Sequence, residues 1–223
     1  MQRSQLAHLV DHTLLKPEAT NADVLAICAE AIELGTYSVC VSPTFVELAK
    51  QTIANQIKVA TVCGFPSGKH QSSIKAMEAT LAVQQGADEV DMVIDIGKAI
   101  SNEWSAIEAD ISAVRMMIPD AVLKVILESA ALTDEQIHQA SLCALRASAD
   151  FVKTSTGFHA SGGAELRAIK VMQETVGGKL GIKASGGIRT AEFALELVSA
   201  GATRLGLSGT RAVLDGVAAT SDY

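Results

Sequence analysis

The residues with the most chemistry to offer are ionisable groups set inside apolar runs. Lys153 follows Phe151-Val152 and precedes Thr154-Ser155-Thr156-Gly157. Lys124 interrupts Val122-Leu123-Lys124-Val125-Ile126-Leu127, which ends on Glu128. Lys183 follows Gly181-Ile182, and Asp91 sits within Glu89-Val90-Asp91-Met92-Val93. Burying an ammonium is costly, and the usual response is a lowered pKa and a neutral amine. A neutral lysine amine adds to an aldehyde or ketone. After loss of water it forms an iminium, an electron sink that permits C–C cleavage or deprotonation of the adjacent carbon. A second ammonium nearby pushes the same way. One such lysine alone reads as a solvated edge-strand residue. Three on neighbouring runs would have to point outward, where covering helices require apolar side chains. Asp91 is the candidate proton carrier, through a water. Spacing leaves open which of Lys153 and Lys183 attacks.

These groups need a scaffold that gathers them at one end. Eight apolar runs rich in Val, Ile and Leu read as strands: Leu9–Thr13, Tyr37–Val41, Lys58–Val62, Glu89–Ile94, Val122–Leu127, Phe151–Lys153, Leu180–Lys183 and Arg204–Leu207. Helical patterns separate them. In Asn21–Leu34, Val24, Ile27, Cys28 and Ala31 share one face. Ser42-Pro43 opens another helix, with proline at its first position. Further helices are expected over Gln71–Gln85, Glu103–Met117, Asp134–Ala147, Ala164–Thr175, Ala191–Ala200 and Thr210–Val217. Thr133 with Gln136 reads as a capping box, and Thr190 as a cap.

Strict alternation of strand and helix implies parallel strands with right-handed crossovers. Eight units predict a single (β/α)8 TIM barrel spanning residues 1–223. An open doubly wound sheet is the alternative, but no GxGxxG follows the first strand. Barrel active sites lie at the C-terminal strand ends, often with phosphate held by the loops after strands 7 and 8. Here those loops carry Ser185-Gly186-Gly187 and Gly206-Leu207-Ser208-Gly209, with Arg189 and Arg211 close by in sequence.

Composition narrows the partners. The 223 residues are 48% hydrophobic with a net charge of −7 and no basic run, which argues against nucleic acid. No apolar stretch approaches the length of a membrane span, and the N-terminus lacks a signal-peptide core. Cys28, Cys40, Cys63 and Cys143 form no CxxC pair, and reduced thiols in a cytoplasmic protein are expected. Cys40 and Cys63 read as packing residues. The five histidines have no ligand spacing, so neither a metal nor a cofactor is expected. Apolar helix faces leave room for a homodimer.

Several segments together resemble the deoxyribose-phosphate aldolases: Asp11-His12-Thr13-Leu14-Leu15-Lys16-Pro17, Val39-Cys40-Val41, Val62-Cys63-Gly64-Phe65-Pro66, Glu89-Val90-Asp91-Met92-Val93, Leu123 to Glu128, Phe151 to Phe158 and Lys183 to Arg189. They run from strand 1 to strand 7 in order and cover nearly the whole chain. That family consists of class I aldolases interconverting 2-deoxy-D-ribose 5-phosphate with D-glyceraldehyde 3-phosphate and acetaldehyde. The resemblance implies that Lys153 forms the Schiff base, Lys183 perturbs it, and Asp91 relays protons. It implies phosphate binding by Gly186, Gly187, Gly206 and Ser208, with Gly157 nearby, and weaker roles for Asp11, Cys40, Thr154 and Lys124. Ser129 follows Glu128 where the family commonly has threonine, which keeps the hydroxyl. Some relatives end in a tyrosine that reaches the site, so Tyr223 is a further candidate. The hydroxyl run Thr154-Ser155-Thr156 is expected to hold substrate or water. The rivals are a phosphosugar isomerase or synthase, which does not require the Lys153/Lys183 pair, and a non-catalytic phosphosugar-binding protein, which would not need to keep Lys153, Lys183 and Asp91.

Overall fold

A computed structural model of the chain describes residues 1–216. Eight parallel strands close on themselves in sequential order: β1 (Val10–Leu14), β2 (Ser38–Val41), β3 (Lys58–Cys63), β4 (Glu89–Val93), β5 (Val122–Ile126), β6 (Phe151–Lys153), β7 (Gly181–Ser185) and β8 (Arg204–Leu207), with β8 pairing back to β1. The helices are α1 (Arg3–Ala7), α2 (Asn21–Leu34), α3 (Val46–Ile53), α4 (Ser72–Gln84), α5 (Ile96–Ile100), α6 (Trp104–Met117), α7 (Asp134–Arg146), α8 (Leu166–Val176), α9 (Ala191–Ser199) and α10 (Thr210–Leu214). The expected (β/α)8 barrel is therefore the fold, and the open sheet is not.

Alternate residues of a strand face opposite sides, and the two sides here differ sharply. Val90, Met92, Leu123, Val125, Val152, Ile182 and Leu205 pack outward with Ile107, Ile111, Ile137, Ile169 and Leu197 of the helices. Val39, Val41 and Val59 do the same with Val24, Ile27 and Ile53. Each such side chain contributes about 1.5–3 kcal/mol when fully buried. The inward set holds a polar cluster, Asp11, Ser38, Glu89, Asp91, Lys124, Lys153, Lys183 and Arg204, all buried, beside a smaller apolar patch of Cys40, Ala60 and Val62. The usual apolar layers of a barrel interior are thus in large part replaced by charges, which the outer apolar shell must support.

Local signals behave as their chemistry requires. Thr133 and Gln136 make both halves of the capping box, and Thr190 caps α9 by accepting from the Phe193 amide. Pro43 opens a 3-10 turn, Pro43–Phe45, that leads into α3. Helix α8 begins at Leu166 rather than Ala164, because Glu165 before it is extended, with φ −133° and ψ 139°; the Ala164 amide donates to the Gly186 carbonyl at 2.9 Å. Strand β7 runs on to Ser185, which pairs in register with Gly206. The single-turn helices α1 and α5 were not expected. Within the described residues the last helix ends at Leu214; Val217 and Tyr223 lie outside them.

Candidate active site

Strand register brings the predicted residues together. Asp91 pairs with Lys124 across β4 and β5, and Lys153 pairs with Lys183 across β6 and β7. All three lysines converge on Asp91. Its Oδ1 accepts from Lys124 Nζ at 2.7 Å, and its Oδ2 accepts from Lys153 Nζ at 2.8 Å and Lys183 Nζ at 2.7 Å. Lys183 also donates to Asp11 Oδ2 at 2.5 Å. Asp11 takes a further hydrogen bond from the Ser38 hydroxyl at 2.7 Å.

The surroundings separate the lysines. Burial opposes the charge on Lys183, but Asp11 and Asp91 outweigh it and hold its pKa above the ordinary lysine value. Burial is likewise overcome at Lys124, chiefly by Asp91. At Lys153 burial wins: Asp91 opposes it, the Lys183 ammonium adds to it, and the pKa falls below the ordinary value. Burial would raise the pKa of Asp91, yet the three lysines hold it well below the carboxylate range. Lys153 also has the most accessible side chain of the three, at 4% against 0% for Lys124 and 1% for Lys183. A neutral amine, beside a carboxylate and a fixed ammonium, can add to a carbonyl and pass protons.

Two of the three hydroxyls after Lys153 bind protein. Thr154 Oγ1 donates to the Ser185 carbonyl at 3.1 Å and accepts from the Ser185 amide at 3.0 Å. Thr156 Oγ1 donates to Glu128 Oε2 at 2.6 Å. Burial raises the Glu128 pKa against these hydrogen bonds. Ser155 Oγ is buried with no hydrogen-bond partner among the described residues. The run thus stitches the β6 loop to its neighbours, leaving Ser155 as the uncommitted hydroxyl. Thr156 lines, with Pro66, Ile96, Glu128, Phe158 and His159, a cleft of about 380 Å³ at the barrel mouth, where Phe158 meets Phe65 edge-on with ring centres 5.2 Å apart.

The glycine loops follow β7 and β8, with Gly186 against Ser155 and Gly157. Gly186 and Gly187 have φ of +87° and +72°, a conformation that favours glycine. Gly187 is exposed, Ser208 and Gly157 are half-buried, and Gly186 and Gly206 are buried. Gly163, absent from the sequence reading, packs against this loop so closely that a Cβ on it would stand 2.2 Å from the Gly186 carbonyl oxygen. Arg211 does not add charge there: it donates to Glu30 at 2.8 Å and to Glu33 at 2.8 and 3.1 Å, which ties it to α2. Cys40 packs with Leu15, Ala60 and Val62, and burial lifts its thiol pKa to about 11. Cys63 belongs to the main core. Lys16 lies in the loop after β1. Glu89 and Arg204, also in the interior, were read only as the first residues of their strands. Their period-two spacing from Asp91 and Gly206 was the available signal.

Fold and site together define an aldolase-type (β/α)8 barrel. Residues 5–216 match the DeoC/LacD family aldolases, and the chain belongs to that family. Among its relatives, the deoxyribose-phosphate aldolase of Nocardia farcinica is 62% identical over 215 residues, covering 96% of this chain and 95% of the relative. That of Kocuria rhizophila is 59% identical over 216 residues, covering 96% and 98%. The tetrameric deoxyribose phosphate aldolase from Aeropyrum pernix superposes with a TM-score of 0.87 at 31% identity, covering 96% of this chain and 91% of that one.

Proposed function

We propose that the chain reversibly cleaves 2-deoxy-D-ribose 5-phosphate to D-glyceraldehyde 3-phosphate and acetaldehyde. The observation that carries this reading is the division of the lysines: Lys183 is bonded to both Asp11 and Asp91, whereas Lys153 shares one Asp91 oxygen with it and has its pKa lowered by burial. In the scheme, Lys153 Nζ adds to the C1 aldehyde and water leaves to give the iminium. Loss of the C3 hydroxyl proton breaks the C2–C3 bond, and the electron pair passes into the iminium to form an enamine. Glyceraldehyde 3-phosphate departs. The enamine is protonated at C2, and water releases acetaldehyde and restores the amine. Asp91 relays the protons, with Lys183 keeping it ionised and Lys124 holding its other oxygen. The iminium is the electron sink, so the scheme calls for no metal or cofactor. Gly186, Gly187, Gly206 and Ser208, with Gly157, hold the phosphate, whose binding supports the reaction from a distance.

Asp11 supports Lys183 rather than touching substrate, and Thr154 shapes the loop through Ser185. Tyr223 remains the candidate to assist enamine protonation. The reading extends to a cytoplasmic enzyme, supported by four free, buried cysteines, and to a homo-oligomer such as a dimer, supported by the tetrameric relative.

Incubation with acetaldehyde and borohydride, followed by peptide mass analysis, tests the mechanism. An irreversible adduct on Lys153 is expected. Its absence, or an adduct elsewhere that survives Lys153→Ala, would overturn the reading.

A further inference from the structure

The interior charges form a closed circuit. Lys183 bridges Asp91 and Asp11 at 2.7 and 2.5 Å. Arg204 Nη1 bridges Asp11 Oδ1 and Glu89 Oε2 at 2.7 and 2.9 Å. Lys124 bridges Glu89 Oε2 and Asp91 Oδ1 at 2.6 and 2.7 Å. Three carboxylates alternate with three cations, so the circuit is neutral when all are ionised. Lys153 is a seventh group outside it, bonded to an Asp91 oxygen that already accepts from Lys183. The far side of the circuit is held in place by aromatic rings, with the Arg204 guanidinium 3.6 Å from the Tyr37 ring centre and 5.3 Å from that of Phe151.

We propose that Glu89 and Arg204 are positioning residues for the aldolase reaction. They close the circuit between Asp11 and Lys124, so that each of its carboxylates has circuit cations for partners, and they leave Lys153 without a counter-charge of its own. Removing Arg204 leaves the six-site circuit with one excess negative charge, which protonation of Lys153 would neutralise. Removing the Glu89 charge leaves one excess positive charge, which opposes that protonation. The two residues therefore act on Lys153 with opposite sign, although neither touches it. The groups facing Lys153 directly are Asp91 from β4, Lys183 from β7 and the uncharged Cys40 thiol from β2, with Glu128 interacting from the mouth, where it also faces His159. All of these are common to the variants below.

The inference rests on Lys153 acting as the amine. The test measures the rate of cyanoborohydride-trapped acetaldehyde adduct on Lys153 against pH, in the wild type, Glu89→Gln, Arg204→Met and the double variant. Arg204→Met should move the midpoint up by about one pH unit, slowing trapping on the acid side about tenfold; Glu89→Gln should move it down by about as much. The double variant should return it close to the wild-type position. Loosened packing alone would slow trapping without this sign reversal. Same-direction shifts, or no shifts, in variants that keep the wild-type circular dichroism spectrum and a cooperative melt overturn the proposal. If Arg204→Met does not fold, a downward shift in Glu89→Gln that the double variant reverses supports it, and no such shift overturns it. Absence of a wild-type adduct on Lys153 would instead overturn the mechanism itself.

Discussion

Lys153 and Lys183 are register partners on adjacent strands, and both are buried. What divides them is ownership of carboxylates: Lys183 has Asp11 and a share of Asp91, whereas Lys153 has only a share of Asp91. Breaking a buried ion pair by removing one partner is strongly destabilising, by about 3–5 kcal/mol, because a charge is left behind. Lys183→Met should therefore cost stability of that order, since it removes the cation bridging Asp11 and Asp91 and leaves the buried circuit with one excess negative charge. Lys153→Met should abolish cleavage yet leave stability unchanged or improved, because it removes a buried amine that the circuit does not need. Denaturant unfolding of the two variants, compared at equal m-value, checks the contrast; comparable losses in both would show that Lys153 is a structural member of the circuit. Spacing marks these lysines as unusual but not which one attacks; within the sequence only the family resemblance points to Lys153. Asp11, which makes the difference, lies 172 positions from Lys183, and no local spacing reports such a contact.

At the scale of elements, the site depends on loops that brace one another. The loop after β6 is fastened to β7 through Thr154 and Ser185, and again where Gly163 meets Gly186. Gly163→Ala places a methyl 2.2 Å from the Gly186 carbonyl oxygen, so the two loops must separate. Overpacking of this kind costs about 1–3 kcal/mol. Displacing the Gly186-Gly187 turn should also weaken the phosphate contacts, and losing one hydrogen bond to a charged group corresponds to roughly tenfold or more in binding. KM for 2-deoxyribose 5-phosphate should rise about that much, while turnover of unphosphorylated deoxyribose changes little. Equal losses on both substrates would sink this account. Gly163 carried no signal in the sequence, because its constraint is a contact with a loop more than twenty residues away. Strands and long helices were legible because period-two and period-3.6 patterns repeat within them. Helices α1 and α5, of five residues each, are too short to show a period. The boundary of α8 falls two residues later than its apolar pattern suggests because Glu165 is held extended as the helix is entered.

For the molecule as a whole, a charged axis inside an apolar shell makes stability a function of pH. Asp11 and Asp91 have folded pKa values below their ordinary 3.8, despite burial, because of the surrounding cations. Their contribution is present above pH 3.8 and is lost as pH falls through the depressed values. Lys183 is the reverse: its folded pKa lies above the ordinary 10.5, so its contribution is complete below that and is lost only as pH rises through the raised value. Lys153 differs from both. Its folded pKa is lowered from 10.5, so between that lowered value and 10.5 the unfolded chain binds the extra proton. Stability must then rise with pH across that interval, by the linkage between proton uptake and unfolding. Unfolding free energies measured from neutral pH to about pH 10 should climb more steeply in the wild type than in Lys153→Met, which lacks the titrating amine. The comparison reads the neutrality of Lys153 without substrate, so it is independent of any activity assay. Superimposable slopes would mean that Lys153 keeps its proton in the folded barrel, and the amine would then have to be activated by substrate binding instead of by the circuit around it.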